Sequence, residues 1–188
     1  IYDSTPGKTQ RLTFDVGQEN SMPVWSPDGK RIAFASQRNG KWAIYVKLAD
    51  GTGTEEKILE SNVPTMPMHW SPPDGKYILY WVNDAKTRGD LLAVPLTGDR
   101  KAIDIARTPA DERNAQVSPN GKWVAYSSNE TGANEIYIQP FPQGTGRWQV
   151  SMNGGVFPRW RQDGKELFFY QAPSIMSAEI QVAGASVQ

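Results

Sequence analysis

His69 is the only histidine in this 188-residue chain, and there is no cysteine. These two facts bound the covalent chemistry. A serine hydrolase needs a histidine to take the serine proton. His69 stands in an expected strand directly before Trp70, and no Gly-x-Ser-x-Gly elbow occurs in the chain. Without cysteine there is no thiolate nucleophile, disulfide framework or zinc–thiolate site. A metal site here would be rich in carboxylates, which suits calcium in a central channel rather than zinc. No residue pattern supports one: Asp50-Gly51-Thr52-Gly53 starts like a calcium loop but lacks the later acidic positions. His69 therefore reads as a structural or channel-lining residue. No residue is assigned a catalytic role, and no cofactor is expected.

The other recurring polar residues are Asp28, Asp74, Asn120 and Asp163, spaced 46, 46 and 43 residues apart. Each precedes a glycine. Asp-Gly and Asn-Gly are tight-turn pairs, because glycine accepts positive φ and the carboxyl or amide oxygen accepts nearby backbone N–H groups. Each has a local task on its own repeat, so they read as turn formers rather than as ligands converging on one ion.

The elements around these turns repeat with them. The phrases are Trp25-Ser-Pro-Asp-Gly-Lys30, Trp70-Ser-Pro-Pro-Asp-Gly-Lys76, Val117-Ser-Pro-Asn-Gly-Lys122 and Trp160-Arg-Gln-Asp-Gly-Lys165. A first strand leads into each turn. A second leaves it at 31–35, 77–81, 123–126 and 166–170. A third returns at 43–47, 91–94, 135–139 and 177–181. A more polar fourth follows in three repeats, at 56–59, 101–105 and 147–150. The second strands are nearly continuous β-branched and aromatic runs, which predicts sheets covered on both faces. A period of 40–50 residues built from short strands predicts an all-β β-propeller of about four four-stranded antiparallel blades. One domain spans 1–188, with repeats at about 19–60, 63–106, 112–151 and 154–182. Residues 9–14 read as an outer strand, either stray or closing the ring by completing the last blade. Trp25, Trp70 and Trp160 share one register and are expected between blades.

Charge excludes some partners. Lys plus Arg and Asp plus Glu both total 20, for zero net charge. That argues against nucleic-acid or membrane-surface binding through bulk positive charge. No apolar run approaches the ~20 residues that span a bilayer. The chain begins at Ile1, as a processed product or excised part would.

The W-S-P-D-G-[KR] turn followed by an apolar strand resembles the TolB-like, WD-related β-propellers. The resemblance covers residues 9–182. It departs at Val117, which replaces Trp, and at Arg161-Gln162, which replace Ser-Pro. The stretch Asn134 to Pro142, Arg147 to Ser151 and Gly154 to Tyr170 is similar to propeller regions C-terminal to bacterial serine/threonine kinases. The resemblance implies a non-catalytic protein- or peptide-binding or sensor module of a larger bacterial protein, in an extracytoplasmic setting. It also implies an alternative, the gating propeller of a prolyl-oligopeptidase-like serine peptidase.

In a propeller the innermost strands surround a channel, and variable loops on a fixed scaffold carry function. The segments leading into those strands supply the candidate ligand-binding residues: Asn20, Met22, Thr65, Met66, His69, Glu112, Arg113, Asn114 and Phe157. Met22, Met66, Met68 and Phe157 would give an adaptable apolar rim. The expected partner is a protein or peptide. Unpaired terminal strands would also allow two copies to associate.

Overall fold

The computed structural model describes residues 9–14, 19–183 and 186–187. Four antiparallel sheets follow one another along the chain. The first contains β1 (Glu19–Trp25), β2 (Arg31–Arg38), β3 (Lys41–Leu48) and β4 (Glu56–Ser61). The second contains β5 (Thr65–Trp70), β6 (Tyr77–Asp84), β7 (Arg88–Pro95) and β8 (Ile103–Ala106). The third contains β9 (Glu112–Val117), β10 (Trp123–Ser128), β11 (Glu135–Pro140) and β12 (Trp148–Gln149). The fourth holds only β13 (Val156–Trp160), β14 (Glu166–Gln171) and β15 (Ser174–Glu179). A two-stranded ladder, β16 (Val182–Ala183) with β17 (Ser186–Val187), stands apart from it. Every large sheet is a simple meander, with each strand beside its neighbour in sequence.

The repeated turn closes as its residues predict. In the first repeat Ser26 Oγ donates to Asp28 Oδ1 at 2.6 Å, Lys30 N donates to the same oxygen at 3.1 Å, and Arg31 N donates to Ser26 Oγ at 2.9 Å. The third repeat has the same set on Asn120 and Ser118, at 2.7, 3.0 and 3.0 Å. In the fourth, Arg161 stands where Ser would, and its guanidinium donates to Asp163 at 2.9 Å instead. The turn acids are thus engaged within their own turns.

The apolar second strands fill three seams. Ala33, Ile44 and Val46 meet Trp70, Ile78, Tyr80, Leu92 and Val94. Leu79, Trp81, Leu91 and Ala93 meet Val124, Tyr126, Tyr137 and Phe141. Trp123, Ala125, Ile136 and Ile138 meet Leu167 and Phe169. All six residues of β10 are buried, as expected for a strand covered on both faces. A second contact runs along the turns. A Cβ built on Gly75 would lie 3.6 Å from Pro27, one on Gly121 would lie 2.6 Å from the Pro72 carbonyl oxygen, and one on Gly164 would lie 3.8 Å from Pro119. The turn glycines of the second, third and fourth repeats therefore sit on a proline of the preceding turn, whereas Gly29 of the first meets nothing within 4 Å.

Three expectations need correction. Residues 10–14 form no strand, and Thr9 makes only an isolated bridge. The segment does not complete the fourth sheet. It lies on the free face of the first, where Gln10 Nε2 donates to the Asp50 carbonyl at 2.7 Å and Lys47 Nζ donates to the Leu12 carbonyl at 2.9 Å. Trp70 is 1% exposed, as a seam residue should be, but Trp25 is 50% exposed, and no described sheet precedes its own. Finally, β15 begins at Ser174, three residues early, since Ala172 and Pro173 suffice for the turn.

Candidate functional site

The innermost strands β1, β5, β9 and β13 touch in chain order and converge on one groove. Its volume is about 340 Å³, and all four contribute to its wall: Met22, Pro23 and Val24; Pro67 and Met68; Asn114 and Ala115; Phe157 and Arg159.

Each strand reaches the groove through a break in its ladder. Pairing with the second strand skips between Ser21 and Val24, between Pro67 and His69, opposite Tyr126 in β9, and between Val156 and Arg159. Such bulges re-aim side chains. In three of them a non-glycine residue takes the left-handed backbone: Met22 at φ 52°, Asn114 at φ 58° and Phe157 at φ 57°. Asparagine tolerates that region, but a bulky apolar residue there costs about 1–3 kcal/mol. Met22 and Phe157 are also 43% and 54% exposed. Two large apolar side chains are thus held out over the groove against backbone preference.

Three of the nine sequence candidates, Met22, Asn114 and Phe157, line this groove. The other six lie elsewhere. Asn20 lines a different cavity, of about 360 Å³, between Leu12, Thr13 and the free face of the first sheet with Trp25, Ile32 and Phe34. Thr65 is buried, and its hydroxyl donates to the Val63 carbonyl at 2.9 Å. Met66 packs against the seam between the second and third sheets, as Met68 also does, but only Met68 lines the groove. Glu112 is buried and accepts the Thr108 hydroxyl; burial pushes its carboxyl above the usual carboxylate range. Arg113 donates to Asp111 at 2.8 Å and stacks over the Trp81 ring at 5.1 Å.

His69 lies behind the groove wall. Its Nδ1 accepts the Val117 N–H across the sheets at 3.1 Å, which fixes the proton of the neutral ring on Nε2. Burial and then the nearby Arg159 charge hold its pKa down at about 4. It is a neutral inter-sheet acceptor at physiological pH. Among the described residues no group of three or more His, Asp or Glu side chains could hold a metal ion.

Sequence reasoning missed Arg159, Pro23, Val24, Pro67 and Ala115. A signal for most of them was present. Met22-Pro23, Met66-Pro67 and Phe157-Pro158 recur just before the turn in three repeats. Proline cannot donate to a ladder, so it marks an interrupted strand.

No family model matches the chain. Among curated proteins it is 28% identical over 148 residues to an uncharacterized protein, Atu1656, of Agrobacterium fabrum, covering 77% of this chain and 48% of that one. The four sheets are blades of a β-propeller: the putative TolB of Agrobacterium tumefaciens superposes with a TM-score of 0.70 at 22% identity, over 87% of this chain and 62% of that one. TolB of Acinetobacter baumannii also gives 0.70 at 22%, over 90% and 43%. The chain is similar as well to an uncharacterized peptidase, YuxL, of Bacillus subtilis (28% identity, 70% of this chain, 25% of that one). The Tol-Pal system protein TolB of Bordetella pertussis is 26% identical, over 61% of this chain and 26% of its own. The relatives are TolB-like propellers, and this chain spans less than half the length of each of these curated ones.

Proposed function

We propose that the chain is a non-catalytic propeller part of a larger bacterial protein and binds a protein or peptide segment in the groove between its innermost strands. The observation that carries this reading is the left-handed, exposed pair Met22 and Phe157, facing the same groove from opposite ends of the blade series. Strain of that kind is retained where it serves a contact. The single histidine is committed to a backbone N–H, so it supplies no free base for a serine. The similarity to TolB supports a binding role. A kinase-linked sensor is the finer form of the same reading.

The similarity to the peptidase YuxL favours a second reading, a propeller that gates a peptidase domain lying outside this chain. A panel of ester and peptide substrates tests the non-catalytic claim for the chain itself. The expected result is no turnover above that of His69→Ala. Turnover that survives purification and disappears with one point substitution would sink the claim.

A further inference from the structure

Among the described residues the groove carries one ionised side chain, Arg159, and no acidic residue lines it. Arg159 is exposed, and among the described residues its side chain makes one hydrogen bond, from Nη1 to the carbonyl of its neighbour Pro158, at 2.8 Å. Among the described residues no ion pair involves it, whereas Arg107, Arg113, Arg147 and Arg161 each face a carboxylate within 4 Å. His69 behind it is held neutral by burial, so no second positive charge stands on that wall. The same groove is lined by the apolar side chains of Met22, Val24, Met68 and Phe157. The site therefore offers a planar two-pronged donor set in an apolar frame. That geometry matches a carboxylate, which an arginine binds through two parallel N–H bonds. Low-dielectric walls strengthen the attraction relative to water.

Resting on the reading of this groove as a peptide-binding site, we propose that its ligand is a linear peptide segment in which an Asp or Glu side chain stands beside a large apolar one. The carboxylate pairs with Arg159, and the apolar side chain lies against Met22, Met68 and Phe157. Methionine surfaces adapt to different apolar shapes, so the charge fixes register while the identity of the apolar residue is relaxed.

The test uses the intact chain and a displayed library of random twelve-residue peptides. The best binders are then synthesised with acetylated and amidated ends, which removes terminal charge. Each is also made with its acidic residue replaced by Lys. Titration against wild type should favour the acidic form, and Arg159→Glu should weaken it about tenfold while improving the Lys form, since reversal adds repulsion to the lost pair. Phe157→Ser, with an unchanged melting temperature, should weaken both forms alike. If Phe157→Ser abolishes binding but Arg159→Glu leaves both affinities within twofold, the carboxylate inference is overturned and the groove reading stands. If selected peptides bind Phe157→Ser and Met22→Ser as well as wild type, or no peptide is selected, the groove reading fails and the inference fails with it.

Discussion

His69 shows how one side chain links fold and solution behaviour. In the unfolded chain it titrates near 6.5, whereas in the folded one burial and Arg159 hold it at about 4. Between those values the unfolded state binds the extra proton, so stability falls as the pH drops from about 6.5 towards 4 and then levels. Protonating Nδ1 would also break its bond from Val117 N. A shift of this size corresponds to about 3 kcal/mol at most. His69→Gln keeps an acceptor without the titration. Its melting temperature should therefore drop less between pH 7 and pH 4.5 than that of wild type, as followed by circular dichroism. Equal drops would mean that the ring is hydrated in the folded state and its burial plays no part.

At the scale of the element, the turn glycines separate two costs that usually come together. Gly29 and Gly121 have similar backbones, at φ 68° and φ 72°. A Cβ on Gly29 meets nothing within 4 Å, while one on Gly121 strikes the Pro72 carbonyl at 2.6 Å. Gly29→Ala should lose about 1 kcal/mol, the left-handed penalty alone. Gly121→Ala should lose about 2–4 kcal/mol, because a backbone atom must also move. Urea unfolding of both variants checks the difference, and equal losses would show that the turn-to-turn contact carries no load. The turns themselves were legible from the sequence, since Ser, Pro, Asp and Gly each state a local geometry. So was the all-β repeat, because the β10 run Trp123-Val-Ala-Tyr126 could only be covered on both faces. The groove was half legible. Met22 and Phe157 stood out as large apolar residues in the segments leading into inner strands, but Arg159 did not, because its exposure to the groove depends on a bulge two residues earlier. Glu112 and Thr65 were misplaced for the converse reason. A polar residue before an inner strand looks accessible in a sequence, while the neighbouring blade that buries it is about 45 residues away in the chain.

The described blades meet in three similar seams, which leaves the outer faces of the first and the last blade without a blade against them. Ile78 and Tyr80, Val124 and Tyr126, and Leu167 and Phe169 each pack on the preceding blade. Ile32 and Phe34 occupy the same register in the first blade, where no described blade precedes them. They are nonetheless only 3% exposed, because residues 12–13 lie across that face, while Phe14 and Trp25 at its edge are 62% and 50% exposed. Repeat arrays need their terminal faces covered, since an exposed seam surface is an association site. The 9–14 segment does this as a strap rather than as a strand, anchored by the Lys47 and Gln10 hydrogen bonds. Deleting residues 1–14 should therefore leave the three inter-blade seams intact, because none of them includes these residues. It should lower stability by about 2–4 kcal/mol through exposure of two apolar side chains. It should also raise binding of an apolar dye and make the mass measured by light scattering grow with concentration. If the deleted protein instead stays monomeric and binds no more dye than wild type, the strap is incidental, and the first blade's outer face is stable in water by itself. Reversing Trp25 to Asp in the deletion background distinguishes specific from general stickiness: association through this face should disappear, whereas association through the exposed Tyr170 and Ile175 of the last blade would persist.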